Sequence, residues 1–196
     1  IFDPYVKDHK KGTIIFFEHT KEDIKNSAAH LRKLIALYFR FSLIDPEFNI
    51  FLNDVPITLD DIKDLSENTE FLWVINTIDD PFIKALKAVP RIDVDSELKI
   101  KGFICTVNKP RFLKIAGTEE KVSIDLFVNG RLREKDILKH MPDFSTRFVA
   151  SYLYGQIHFD EMDQDGIERF TSSREEIISG DSKHGDFITV AKDILE

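Results

Sequence analysis

From residue 97 onward the chain alternates strand, turn and helix signals at short intervals, and this spacing limits the fold more than any other feature. "ELKIKGFICTV" (97–107) alternates at Leu98, Ile100, Gly102, Ile104 and Thr106 before merging into an apolar run, the pattern of a sheet strand. "VSIDLFV" (122–128) is a second strand, Asn129-Gly130-Arg131 a turn, and "LREKDILKHM" (132–141) a helix stopped by Pro142. A helix near 144–151, the strand "YLYGQIHF", the acidic turn "DEMDQDG" and a helix beginning at Ser172 complete the series. None of these connections is a long crossover of the kind a doubly wound parallel sheet needs. The expectation is therefore an α+β sandwich with helices packed on one face of a sheet.

The first half is organised differently. "GTIIFF" (12–17) is a short β-rich run, and Leu31, Leu34, Ile35, Tyr38 and Phe41 then fall at helical spacing, with Arg32, Lys33 and Arg40 largely off that face. "FNIFLNDVPIT" reads as strand, Asn53-Asp54 turn and strand, followed by a helical turn capped by Thr58. "EFLWVIN" (70–76) is strand-like, and residues 77–96, with Pro81 and Pro90, form a short helix inside a connecting region. A boundary near residue 90 divides the chain into 1–90 and 91–196.

The chain has 196 residues, 42% of them apolar, enough for a real core. Its net charge of −8 argues against the whole chain tracking a phosphate backbone, although a local basic patch could still do so. Cys105 is the only cysteine, so no internal disulfide forms, and a reducing, cytoplasmic home is the simplest expectation. No stretch is apolar enough to span a bilayer by a helix. The opening at Ile1 reads as a piece of a longer protein.

Few residues carry a chemical signal alone. "EMDQDG" resembles the start of a calcium loop, but its twelfth position is Ser172 instead of a bidentate Glu, which favours a solvated acidic turn. Histidines 9, 19, 30, 140, 158 and 184 form no His-x-x-x-His pair, so no metal site is expected. In "FTSSREEI" (170–177), Ser172 and Ser173 are N-cap residues and Glu175 and Glu176 their capping partners. Arg174 then falls in a first helical turn, where a cation costs about 0.3–1 kcal/mol. A bland reading pairs Arg174 with Glu176 or Asp181; a functional one gives it an anion to hold.

Three stretches together resemble the GHKL ATPases, the Bergerat-fold superfamily of gyrase B, MutL, MORC proteins and the heat-shock chaperone. "KKGTIIFFEHTKEDI" is similar to the Gly-Thr strand after the ATP lid, "LFVNGRLREKDIL" to a segment of the MutL second domain, and "TSSREEI" to the Ser-Arg-Glu segment of the chaperone's middle domain. The resemblance also extends to bacterial GHKL-type proteins with a "KGFICTVNKP"-like strand. It implies a ribosomal-protein-S5-like two-layer transducer domain over 91–196, preceded over 1–90 by the last strand and helix of the ATPase domain. It further implies that Arg174 contacts the γ-phosphate as the catalytic arginine, that Gly12, Thr13 and Ser173 contribute to nucleotide binding, and that ATP and Mg belong to a longer protein. The implied partners are an N-terminal ATPase domain of the same chain, a second copy in a homodimer, and a DNA or protein client; no membrane contact is implied. This piece alone is expected to be inactive. The alternative is a non-catalytic module that grips protein or nucleic acid through its sheet or through a basic helix at 132–140, using Arg133 and Lys139.

Overall fold

The computed structural model describes residues 13, 27–45, 47–115, 118–171 and 177–196. Its elements include helix α1 (Ala28–Tyr38), the hairpin strands β1 (Phe51–Leu52) and β2 (Val55–Pro56), helix α2 (Lys63–Asn68), strand β3 (Thr69–Ile75), helix α3 (Pro81–Ala85), and strands β4 (Arg91–Val94), β5 (Lys101–Val107), β6 (Ile124–Val128) and β7 (Arg131–Glu134). Helix α4 (Pro142–Ser145), strand β8 (Leu153–His158) and helix α5 (Ser182–Leu195) follow. The fold is mixed α/β, built on one six-stranded mixed sheet in the order β4-β3-β5-β8-β6-β7. β3/β4 and β6/β8 are parallel and the other neighbours antiparallel. β3 pairs with β5, so the sheet runs across the boundary expected near residue 90.

Helices cover both faces of this sheet, where the sequence suggested one. Alternation along β5 makes the reason visible. Ile104 joins a cluster with Ile124, Leu126, Ile157, Phe187 and Ala191, whereas Phe103, Cys105 and Val107 join Ala36, Leu37, Leu65, Phe82 and Tyr154 on the other side. Each face therefore needs its own helical cover, α5 for the first and α1 with α3 for the second. Cys105 is packing, its thiol pushed up to about 12 by burial.

Local chemistry explains most elements. Ser27 caps α1 by accepting from the His30 amide, and Thr58 and Asp61 form a capping box ahead of α2. Arg32 reaches from α1 to Asp61 through two hydrogen bonds of 2.6 and 2.8 Å and also donates to the Val55 carbonyl. That fork fixes the β1–β2 hairpin beside the helix. Asp80 caps α3 at the Phe82 amide and also ion-pairs with Arg40, whose guanidinium lies 5.5 Å from the Phe82 ring and 5.8 Å from Phe103. The pair is buried and held among aromatic faces, so removing either partner strands a charge in the core.

Two sequence expectations are corrected by pairing. Residues 131–134 are strand β7 and 137–140 a single 3-10 turn, in place of a helix over 132–141. Asn129 and Gly130 both adopt positive φ (49° and 70°), so the turn closes a tight hairpin and forces the following residues against β6. Residues 91–94, read as connection, pair with β3 as an edge strand. The described C-terminal helix begins at Ser182, capped by Asp181, and residues 177–181 lie outside any helix; the expected start at Ser172 falls outside the described residues. At β5 and β8 the backbones approach so closely that a Cβ on Gly155 would sit 2.3 Å from the Phe103 carbonyl oxygen, which only glycine allows.

Asp125 is the costly residue in the sheet. It is 2% exposed, accepts from Ser123 Oγ (2.6 Å) and the Asp136 amide (2.9 Å), and has its carboxyl raised to about 6 because burial outweighs those hydrogen bonds. Unfolded, the group titrates near 3.8. Between those two values the folded chain holds the extra proton, so stability falls as pH rises from about 4 to 6, by about 3 kcal/mol in total, and stays reduced above. Asp125→Asn keeps the acceptor oxygen without the charge. Thermal melts should show this variant more stable than the parent at pH 8 and close to it at pH 4; a lower melting temperature at pH 8 contradicts the assignment.

Candidate nucleic-acid interface

A sheet covered on both faces can offer polar chemistry only at its ends and edges, and strand direction decides which loops share an end. β5 finishes where the antiparallel β8 starts, and β6, parallel to β8, starts there too. The connection 108–123, which leaves β5 and enters β6, therefore lies at the same end as residues 145–152, which lead into β8. The opposite end receives the loops after β4 and β8.

Charge follows this division. Lys109, Arg111, Lys114, Lys121 and Arg147 outnumber Glu119 and Glu120 in the two connections at the first end, within a chain of net charge −8. At the other end, residues 158–168 contain Asp160, Glu161, Asp163, Asp165 and Glu168 and no lysine or arginine. The "DEMDQDG" turn there is internally paired: Asp165 binds Arg169 and Lys183, and Asp163 accepts from the Asn129 side chain. It is an acidic turn held by cations, where the sequence reading expected a solvated one.

The basic end has a defined surface. Lys114 and Lys121 face each other across an isolated antiparallel bridge, and a 3-10 turn at 110–113 starts with Pro110 at its first position. Two clefts meet at Lys121 and Ser151: one of about 310 Å³ beside Thr146, Arg147 and Phe148, the other of about 290 Å³ beside Pro110, Lys114 and Thr118. Among the described residues no carboxylate lies within 4.0 Å of Lys109, Arg111, Lys114 or Lys121. Arg147 makes one long contact of 3.6 Å to Glu196. Phe148 is 78% exposed, with its ring 5.1 Å from that of Tyr152, and the Arg111 guanidinium lies 5.0 Å from the Phe112 ring. Unneutralised cations around an exposed ring pair can hold phosphates and stack on bases.

Gly12, Ser173 and Arg174 fall outside the described residues, and Thr13 is exposed. Arg133, expected on a basic helix, is buried at 4% exposure with its guanidinium 4.4 Å from the Phe170 ring, and Lys139 pairs with Glu134 at 2.8 Å. Arg133 and Lys139 therefore do not stand together on an exposed basic helix at 132–140. His140, His184 and Glu134, which sequence spacing separated, converge into one cluster able to hold a metal ion.

Comparison with known proteins corrects the earlier family reading. A protein of Herpetosiphon aurantiacus, bearing the name "Putative type II restriction enzyme HgiDII", is 26% identical over 183 residues, which make up 89% of this chain and 29% of that protein. The chain thus spans less than a third of its relative's length. No family model matches, and no solved structure does. The resemblance to GHKL ATPases, with the transducer function and the γ-phosphate contact of Arg174, is overturned by a relative that carries a nuclease-type name. Physical reasons for the misreading are plain: Asn-Gly serves a hairpin turn and the "KGFICTV" run serves a strand buried on both faces, needs that arise in many unrelated folds. ATP, Mg and an ATPase partner domain rested on that resemblance alone, as did the S5-like label for the sheet.

The exposed ring and its buried neighbour should respond differently to truncation. Phe148→Ala is expected to leave stability within about 0.5 kcal/mol, whereas Phe144→Ala, 2% exposed in the α4 turn, should cost about 3–5 kcal/mol. Urea titration of the two variants checks this; equal losses would place Phe148 in the core.

Proposed function

We propose that this chain is a nucleic-acid-contacting module of a longer DNA-acting protein, and that residues 108–123 and 145–152 form its contact surface. One observation carries the reading: the two connections at one end of the sheet hold five cations, four without a carboxylate partner among the described residues, and two of the five, Lys121 and Arg147, share a cleft with the exposed Phe148 in an otherwise acidic chain. The restriction-enzyme name of the relative supports the same direction, at 26% identity. The contact is read as positional: cations meet phosphates, and Phe148 with Tyr152 offers a face to bases. At the opposite end Asp160, Glu161 and Asp165 are paired with Lys101, Lys99, Arg169 and Lys183, so no comparable set of unpaired cations stands there among the described residues.

Binding of a labelled duplex and of a labelled single strand, followed by fluorescence anisotropy across a salt series, tests the proposal. Affinity should fall with salt, and Lys121→Ala and Arg147→Ala should each weaken binding and reduce the slope of log K against log salt by about one. Phe148→Ala should weaken the single-strand complex and leave the slope unchanged. Absence of binding at low salt, or slopes indifferent to Lys121 and Arg147, contradicts it.

A further inference from the structure

Glu134, His140 and His184 come from three separate elements: the last residue of β7, the 3-10 turn after it, and the first turn of α5. Each imidazole presents Nε2 to a different oxygen of one carboxylate, His140 to Oε1 at 2.6 Å and His184 to Oε2 at 2.7 Å. The two rings meet edge to face, 4.9 Å apart, and the three ligand atoms lie within 4.8 Å of one another. Lys139 Nζ also touches Oε1, at 2.8 Å.

We propose that these three side chains form a binding site for a divalent transition metal of the zinc class. Two imidazole nitrogens and one carboxylate oxygen are the donor set that zinc takes in three-ligand sites, where a fourth position stays open. The choice of metal follows from the donors: imidazole suits Zn2+, Co2+ and Ni2+, while Ca2+ and Mg2+ prefer sites made of oxygen alone. Metal coordination uses the lone pair at each Nε2, leaving the ring proton at Nδ1, and displaces the Lys139 ammonium from Oε1. Each imidazole nitrogen stands at hydrogen-bonding distance from a carboxylate oxygen, 2.6 and 2.7 Å, and would have to open to the wider spacing of two donors around an ion about 2.0–2.2 Å from each. His184 is held in place by its helix, since its amide donates to the Asp181 cap at 2.9 Å, and its side chain is 13% exposed. His140 is 37% exposed, which leaves the fourth position open to solvent.

The location gives the site a consequence. A metal ion would join the edge strand, the following turn and α5, which packs on the first face of the sheet through Phe187 and Ala191. Asp136 and Leu138, between Glu134 and His140, line the same cleft as Lys121 and Arg147, so the ion sits beside the basic surface. The proposal stands without the nucleic-acid reading, because its donors are independent of those cations.

Titration of the metal-stripped chain with Co2+ tests it. One equivalent should bind and give the visible absorption of a four-coordinate ion, Zn2+ should displace it, and Zn2+ should raise the melting temperature. His140→Ala, on an exposed turn, should weaken Co2+ binding at least tenfold while the far-ultraviolet dichroism stays that of the parent; His184→Ala and Glu134→Gln should do the same. If either of the last two unfolds, the His140→Ala result decides. Substoichiometric binding, or affinity unchanged in His140→Ala, overturns the proposal. Mg2+ is the negative control and should neither bind at comparable concentration nor shift the melt.

Discussion

The molecule is organised by a strand that offers almost nothing to water. From Gly102 to Val107 every residue of β5 is buried, with alternate side chains feeding two separate apolar clusters. Burying both faces of a central strand commits the chain to a layer on each side, which leaves most of the polar chemistry to the ends and edges of the sheet. What remains accessible is the two ends, where the loops are, and the edges at β4 and β7. Both candidate sites lie there: the basic surface in loops that leave or enter the sheet at one end, the histidine cluster against the β7 edge.

Charge placement turns this geometry into a polarity. A net charge of −8 suggests a chain that repels nucleic acid, yet the total conceals a separation between an acidic loop after β8 and a basic surface before it. Charges more than a Debye length apart, about 8 Å at physiological salt, act largely as separate fields. Local clustering is therefore the informative quantity, and it depends on topology. Lys121 and Arg147 are far apart in sequence and line one cleft because β6 and β8 run parallel as neighbours.

How far the sequence could be read follows from how local each cause is. β3, β5, β6 and β8 were legible because their apolar runs carry the sheet signal residue by residue, and the α1 face and the Thr58 cap were legible for the same reason. β7 was not: "LREKDILKHM" has helix-forming composition, and what overrides it is a hairpin turn together with Arg133 folding inward against Phe170. β4 was hidden because Arg91-Ile92-Asp93-Val94 alternates over only four residues beside Pro90, and its pairing with β3 is a tertiary event. The histidine cluster was illegible since His140 and His184 meet across many intervening residues and match no short spacing. The ATPase resemblance failed in the opposite direction, by reading turn and strand chemistry as a family's signature.

Hydrogen exchange of the chain with and without saturating duplex DNA tests the central claim most directly, because it maps contact without altering a residue. Slowed exchange confined to residues 108–123 and 145–152, with the 158–168 loop unchanged, is the result expected from a basic end that meets phosphates. Protection centred on the acidic loop or on the β4 edge, or no protection at a concentration that saturates binding, would contradict it.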